Sequence, residues 1–379
     1  MDDKQFMTSN MPAKRTRSSN RHRPTVVSLF TGAGGLDIGL ETAGFETIAS
    51  VEIDPHCRAT IRHNRPSWNP VEMHGGDITL FTSAQLKALN SNPRQDVGLV
   101  IGGAPCQPFS QIGRGEGTAS ETGQLFRHFM RAVKNLEPRG FVFENVASIT
   151  QAKHSEVVEY LKAEGDRLGY TVHVAILDAA DYGVPQHRRR MFALGCRGPL
   201  QPTDPTRTHA SPETARETKL PAWLTVARAF KNLKERRLNR SDNLCMTVSP
   251  LMRKRYKYIP RGSRDNFKVL PMNLRPPCWR TGKHQGSDTF GRLMLTEPSI
   301  TIRTSGYHPM KGRYIHPVEH RGLNTAELAR LQGFPDKWEF CSASGKPTLS
   351  SVARQIGNAV PPPLAAAIGH EMMRCSNRG

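Results

Sequence analysis

The 379-residue sequence is short of acidic residues, of cysteine and of long apolar runs, and each shortage excludes something. No stretch approaches the roughly 20 apolar residues a helix needs to cross a bilayer, and the Arg-rich start has no signal-peptide apolar segment. No membrane contact is expected, and the chain should stay in the compartment where it is made. The seven cysteines, Cys57, Cys106, Cys196, Cys245, Cys278, Cys341 and Cys375, are odd in number, scattered and never spaced Cys-x-x-Cys. A disulfide framework and a zinc site are both disfavoured, and no metal is expected. A Gly-x-Gly-x-x-Gly fingerprint is missing, since Asp37 stands third after Gly34, and so is the Lys-Ser/Thr loop that grips ATP phosphates. Only 33 Asp and Glu stand against 53 Lys and Arg, for a formal charge of +20. Between Arg197 and Arg313 the balance is 24 Lys and Arg to 8 Asp and Glu, or +16. A merely solvated surface is the weaker explanation for so lopsided a segment. A polyanion, most simply nucleic acid, is the expected partner, because a concentrated cationic face gains affinity by releasing counterions from phosphates.

What is present reads, from Thr25, as an α/β domain. Residues 1–24, polar and carrying Lys14, Arg15, Arg17, Arg21 and Arg23, predict a disordered basic tail. Residues 26–30 predict a buried strand, 31–35 a glycine-rich turn and 36–43 a helix, an order that lets a ligand approach the backbone. A second strand, 47–51, delivers Glu52, 20 residues after Gly32, where a strand-end carboxylate can bond both ribose hydroxyls. Taken alone, such a carboxylate is more often a turn former or helix cap. A third loop, Gly75-Gly76-Asp77-Ile78, offers Asp77 to an adenine amino group. Three such loops in order favour an adenosine-containing ligand, and the lack of a phosphate loop favours a nucleoside over ATP.

The apolar run 97–101 then enters Gly102-Gly103-Ala104-Pro105-Cys106-Gln107. The two glycines predict a turn at the strand end, and Pro105 stiffens the step before the thiol. A free Cys beside an apolar strand is more often a small core residue. Against that, the strand 141–143 delivers Glu144 to the same carboxyl edge, where open α/β sheets place their sites. Residues 113–123, small and polar, have the composition of a mobile lid. Apolar spacing predicts a helix over 124–136. Strands 170–177 and 190–194 flank a link rich in donors, among them Gln186, Arg188 and Arg190. From 198 to 316 the alternation is lost in a Pro- and Arg-rich, loop-rich segment. A helix over 325–331 and a last one over 364–374, expected to dock on the main domain, close the chain.

In sequence order, Phe30-Thr-Gly-Ala-Gly-Gly35, Glu52-Ile-Asp54, Gly76-Asp77-Ile78, Pro105-Cys106-Gln107, Glu144-Asn145-Val146, Gln186-His-Arg188-Arg-Arg190 and Gln355-Ile-Gly357-Asn358 resemble the motifs of the bacterial DNA (cytosine-5)-methyltransferases. The stretch from Glu327 to Pro335 is similar to a further one. The resemblance implies a doubly wound, mostly parallel sheet with a smaller loop-rich domain: catalytic and cofactor-binding residues 25–197, target recognition 198–316 and a return segment 317–379. It implies methyl transfer from S-adenosylmethionine to C5 of a flipped cytosine in duplex DNA, through a Cys106 adduct at C6. Glu144 would contact N3 and the exocyclic amine, Arg190 would bind O2, and Arg188 would support the site. Phe30, Gly32, Gly34, Gly35, Glu52, Ile53, Asp77, Ile78, Pro105 and Asn358 would form the cofactor site. Two departures stand out: Thr122 where the family commonly has Arg, and Ile53 where an aromatic often covers adenine. The expected enzyme is a monomeric, cytoplasmic, nucleoid-associated protein, either an orphan or half of a restriction-modification pair. An RNA (tRNA) methyltransferase and a non-catalytic DNA-binding regulator are the alternatives.

Overall fold

The computed structural model describes residues 23–92, 95–105, 124–233, 240–281 and 288–376. The predicted tail therefore lies almost wholly outside the described residues, as do Cys106 and the predicted lid. Six strands form one sheet in the order β2-β1-β3-β4-β6-β5. They are β1 (Thr25–Leu29), β2 (Glu46–Val51), β3 (Val97–Gly103), β4 (Gly140–Val146), β5 (Thr171–Asp178) and β6 (Arg189–Cys196). Pairing is parallel from β2 through β1 and β3 to β4, and β6 runs antiparallel to both β4 and β5. The sheet is mostly parallel and covered on both faces, which is why β1, β3 and β4 are buried along almost their whole length rather than alternating.

On one face lie α3 (Ser83–Lys87), α4 (Leu125–Leu136) and α5 (Ser155–Arg167). The apolar spacing of α4 places Phe126, Phe129, Met130 and Val133 against Phe141 and Phe143 of β4 in one core. The other face is covered by α1 (Gly35–Thr42) and the C-terminal helix Pro362–Ser376, whose Leu364, Ala365, Ile368 and Met372 pack with Leu36 and Leu40. The last helix thus packs against α1 on this face of the sheet. Between them, α2 (Pro55–Asn64) starts at a cap: Asp54 accepts from the His56 N–H at 2.9 Å, with Pro55 at the first helical position.

Gly102 and Gly103 belong to β3 and carry no left-handed backbone, contrary to the expected turn. Close approach explains them instead. A Cβ on Gly102 would stand 2.8 Å from the Leu29 carbonyl, and one on Gly103 would stand 2.8 Å from Oε2 of Glu144.

From 198 to 316 no described residue joins the sheet and the helices are short; Tyr256, Ile259, Phe267, Leu270, Leu274, Trp279, Phe290 and Ile315 form a small core, while Val226, Ala229, Leu293, Ile302 and Tyr314 pack with the chain after 316. The chain returns through helix Thr325–Leu331, held by a capping box between Asn324 and Glu327, and helix Leu349–Asn358. Among the described residues no helix is long and apolar enough to cross a membrane.

Candidate active site

The carboxyl ends of β1, β2, β3 and β4 open into one cleft of about 260 Å³. Ten of the expected site residues line it: Phe30, Gly32, Gly35, Glu52, Ile53, Pro105, Glu144, Arg188, Arg190 and Asn358. Gly34, Asp77 and Ile78 do not. Gly34 has φ 81° and serves as the cap residue before α1, a backbone shape that favours glycine. Its missing Cβ points at Trp68 and Ile61, away from the cleft. Asp77 caps the turn Ile78–Leu80, accepting from the Thr79 N–H at 3.0 Å and the Thr79 hydroxyl at 2.8 Å, while Ile78 is buried in the core. Cys106 lies outside the described residues, and Pro105 is the last described residue before it.

At the β2 end, Glu52 Oε2 accepts from the Gly32 N–H and Oε1 from the Asp54 N–H, each at 2.7 Å. Burial pushes this carboxyl above the usual range, and the two N–H groups only partly offset it. Arg58, which sequence reasoning missed, donates to the carbonyls of Glu52, Ile53 and Gly75 and so fixes this loop to the next. Ile53 projects its apolar side chain at the rim, 61% exposed. Asp37 was also missed. Its fully buried carboxylate accepts from Ser28 and Thr47 hydroxyls, each at 3.0 Å, and burial pushes it up to about 7. The available signal was a pair of small hydroxyl residues inside otherwise apolar strands.

At the other end, Gly103 pairs with Glu144 in the parallel register of β3 and β4. The carboxylate is buried, and Arg190 from β6 reaches it, Nε to Oε1, at 3.2 Å. Desolvation raises the Glu144 pKa, against the pull of Arg190 and Arg188. Asn145 donates to the Ala104 carbonyl at 3.3 Å and accepts from the Val146 N–H, tying the end of β4 to the segment that leads to Cys106. Arg188 is almost fully buried; its guanidinium donates to the Ile302 carbonyl at 3.0 Å and the Gly357 carbonyl at 2.9 Å. Its own N–H donates to Asp178, whose other oxygen pairs with His187 at 3.0 Å. Burial alone would raise Asp178, but the bonds from His187, Arg188 and Ala180 outweigh it and hold the carboxyl low, while His187 is raised by the same pair. Gln186 completes the joint, donating to the Leu331 carbonyl and to Gln332, and accepting from the Ile302 N–H.

The charged lining sorts by place. Asp37, Glu52 and Asp54 surround the glycine loop, whereas the two cations, Arg188 and Arg190, sit at the Glu144 end and are engaged by protein acceptors. S-adenosylmethionine, the expected cofactor, carries a sulfonium cation and no phosphate, so an acidic, lysine-free seat with an exposed apolar side chain beside it fits that group. A nucleotide's phosphates would meet carboxylates there.

The family model for C-5 cytosine-specific DNA methylases matches residues 24–374. The type II methyltransferase M.PspPI of Psychrobacter sp. (strain TA137) is 33% identical over 359 residues, covering 93% of this chain and 80% of that protein. M.NgoFVII of Neisseria gonorrhoeae is 32% identical, covering 91% of this chain and 85% of that one. A prophage-encoded E. coli protein described as a DNA modification methyltransferase superposes with a TM-score of 0.68 at 25% identity, over 94% of this chain and 100% of its own. The S. pombe Dnmt2 methyltransferase shares the fold, with a TM-score of 0.58 at 18% identity over 93% of this chain and 99% of its own.

Proposed function

The chain belongs to the C-5 cytosine-specific DNA methylase family, and from that premise we propose how its cleft works. The protein is a DNA (cytosine-5)-methyltransferase that uses S-adenosylmethionine. The observation that carries the reading is the shared cleft: the acidic glycine-loop seat and the buried Glu144–Arg190 pair open into one space, at whose rim the chain runs on to Cys106. When bound, S-adenosylmethionine supplies an electrophilic methyl group for cytosine C5. Glu52 would hold the ribose, Phe30 and Ile53 would cover the adenine, and Gly32, Gly35, Pro105 and Asn358 would frame the methionine end, while Gly34, Asp77 and Ile78 shape the loops behind this lining.

Cytosine C5 is a poor nucleophile until electrons are pushed onto it. The Cys106 thiolate adds to C6, its lone pair forming the S–C6 bond as the C5–C6 π pair moves onto C5. Glu144, its pKa raised by burial, bonds N3 and the exocyclic amine and offsets the charge that develops there; Arg190 bonds O2. After C5 is methylated, a base, with water the candidate, takes the C5 proton; the C–H pair re-forms the double bond and Cys106 leaves. The base must be flipped out of the duplex, at a cost of a few kcal/mol. The basic segment 198–316 supplies target recognition on duplex DNA. The chain acts as a monomer on nucleoid DNA in the bacterial cytoplasm, and the type II names of its relatives support a restriction-modification role beside a cognate endonuclease.

Cys106→Ala is expected to abolish methylation of duplex DNA, read by bisulfite sequencing, while cofactor binding by titration is kept. Retained methylation would overturn the assignment.

A further inference from the structure

We propose that the helix Pro250–Tyr258 is a sugar-phosphate contact for the DNA duplex, holding it through Arg253, Lys254 and Lys257 and leaving sequence reading to other parts of the recognition segment. The inference rests on duplex DNA being the substrate. The helix begins at Ser249, whose hydroxyl accepts from the Met252 N–H, with Pro250 at the first position. Its inner side is fixed. Tyr256 is buried in the small core, fully buried Arg292 donates to the carbonyls of Tyr256 and Ile259, and Arg255 donates to the Leu274 carbonyl at 2.7 Å.

The exposed side carries three cations, with Leu251 and Tyr258 exposed beside them. Arg253, Lys254 and Lys257 are exposed, and no ion pair or side-chain hydrogen bond of theirs occurs among the described residues. Residues three and four apart share a helix face, so Lys257 repels both Arg253 and Lys254, and no carboxylate among the described residues pairs with any of the three. Arg261, just beyond the helix, is exposed as well. His320 is held below its ordinary value by burial and then by Arg292, Arg261, Lys257 and Arg253, which places these cations on one side of the lobe. Lys and Arg are donors only and phosphates acceptors only, so the three side chains suit sugar-phosphate oxygens; the same donors can also reach guanine O6 and N7, which is why the test compares a target duplex with a scrambled one. Two of the three are lysines, which act as point charges rather than as planar forks.

The test is the triple variant Arg253→Ala, Lys254→Ala, Lys257→Ala in the full chain, titrated across salt with two synthetic duplexes, one carrying a mapped target cytosine and one scrambled. Both duplexes should be bound more weakly by the same factor. The slope of log K against log salt should flatten by about 0.9 for each lost contact, hence by about two to three in all. The charge-keeping triple Arg253→Lys, Lys254→Arg, Lys257→Arg should restore the slope, and cofactor affinity should not move. An unchanged slope overturns the proposal. So does a loss confined to the target duplex or a shifted bisulfite pattern, either of which would make the helix a base reader, or a loss seen only with single-stranded RNA. Because the salt titration reads binding without methyl transfer, failure of the wild-type protein to methylate duplex DNA would count against the proposed function alone.

Discussion

Glu144 and Asp37 are both buried carboxyls on one cleft, yet burial serves them differently. Glu144 faces Arg190 and the space where a cytosine edge would lie, and burial raises its pKa against the pull of Arg190. Glu144→Gln is expected to lower kcat by about 100-fold or more while leaving S-adenosylmethionine binding unchanged, as single-turnover kinetics and calorimetry would show. Asp37 instead makes its bonds to Ser28 and Thr47 and titrates at about 7 in the fold, against an ordinary 3.8. A folded value above the unfolded one means that the fold binds the proton more tightly. The stability this contributes is complete below about pH 4 and is lost as pH rises to about 7, at up to about 1.4 kcal/mol per unit. Asp37→Asn should flatten the fall of Tm across that window; parallel curves for the two proteins would sink the assignment.

At the scale of elements, β3 and β4 set the site by register. Gly103 sits opposite Glu144, and the lack of a Cβ leaves room for the carboxylate. Gly103→Ala keeps an ordinary backbone but puts a methyl 2.8 Å from Oε2. The expected result is a kcat loss of about tenfold or more with little change in Tm, the signature of displacement rather than unfolding. The sequence showed where these strands end and which residues they deliver, because an apolar run followed by a lone carboxylate is a local pattern. It did not show that Gly102 and Gly103 are strand residues, because the reason lies in Leu29 and Glu144, on neighbouring strands. Asp37 was illegible for the same cause: its partners are close in space but spread over two strands. Residues 198–316 were legible only as charge, since the small core they hold is built without strand or long-helix periodicity.

At the scale of the whole molecule, Arg188 is the clasp. It joins the edge of β6 to the 302 segment and, 169 positions along the chain, to the end of helix Leu349–Asn358. Its place in the Gln186–Arg190 motif marked it as a supporting residue; that its reach extends to Gly357 follows from topology and not from spacing. Arg188→Met would leave two buried carbonyls without their charged donor. It should cost about 3 kcal/mol or more in urea unfolding and raise the KM for S-adenosylmethionine as Asn358 loses its anchor. An unchanged KM in a folded variant would show that the clasp and the cofactor seat are separate.

The cleft takes Gly32 and Glu52 from near one end of the sequence and Gly357 and Asn358 from near the other. On the ribosome these walls emerge in that order, the sheet's first strands long before the segment that closes the pocket over them. A growing chain therefore carries Glu52 and Glu144 for much of its synthesis before the wall that completes the cleft around them has been made. A product that stops short of helix Leu349–Asn358 lacks that wall of the cleft, and such a truncation is expected to lose cofactor binding.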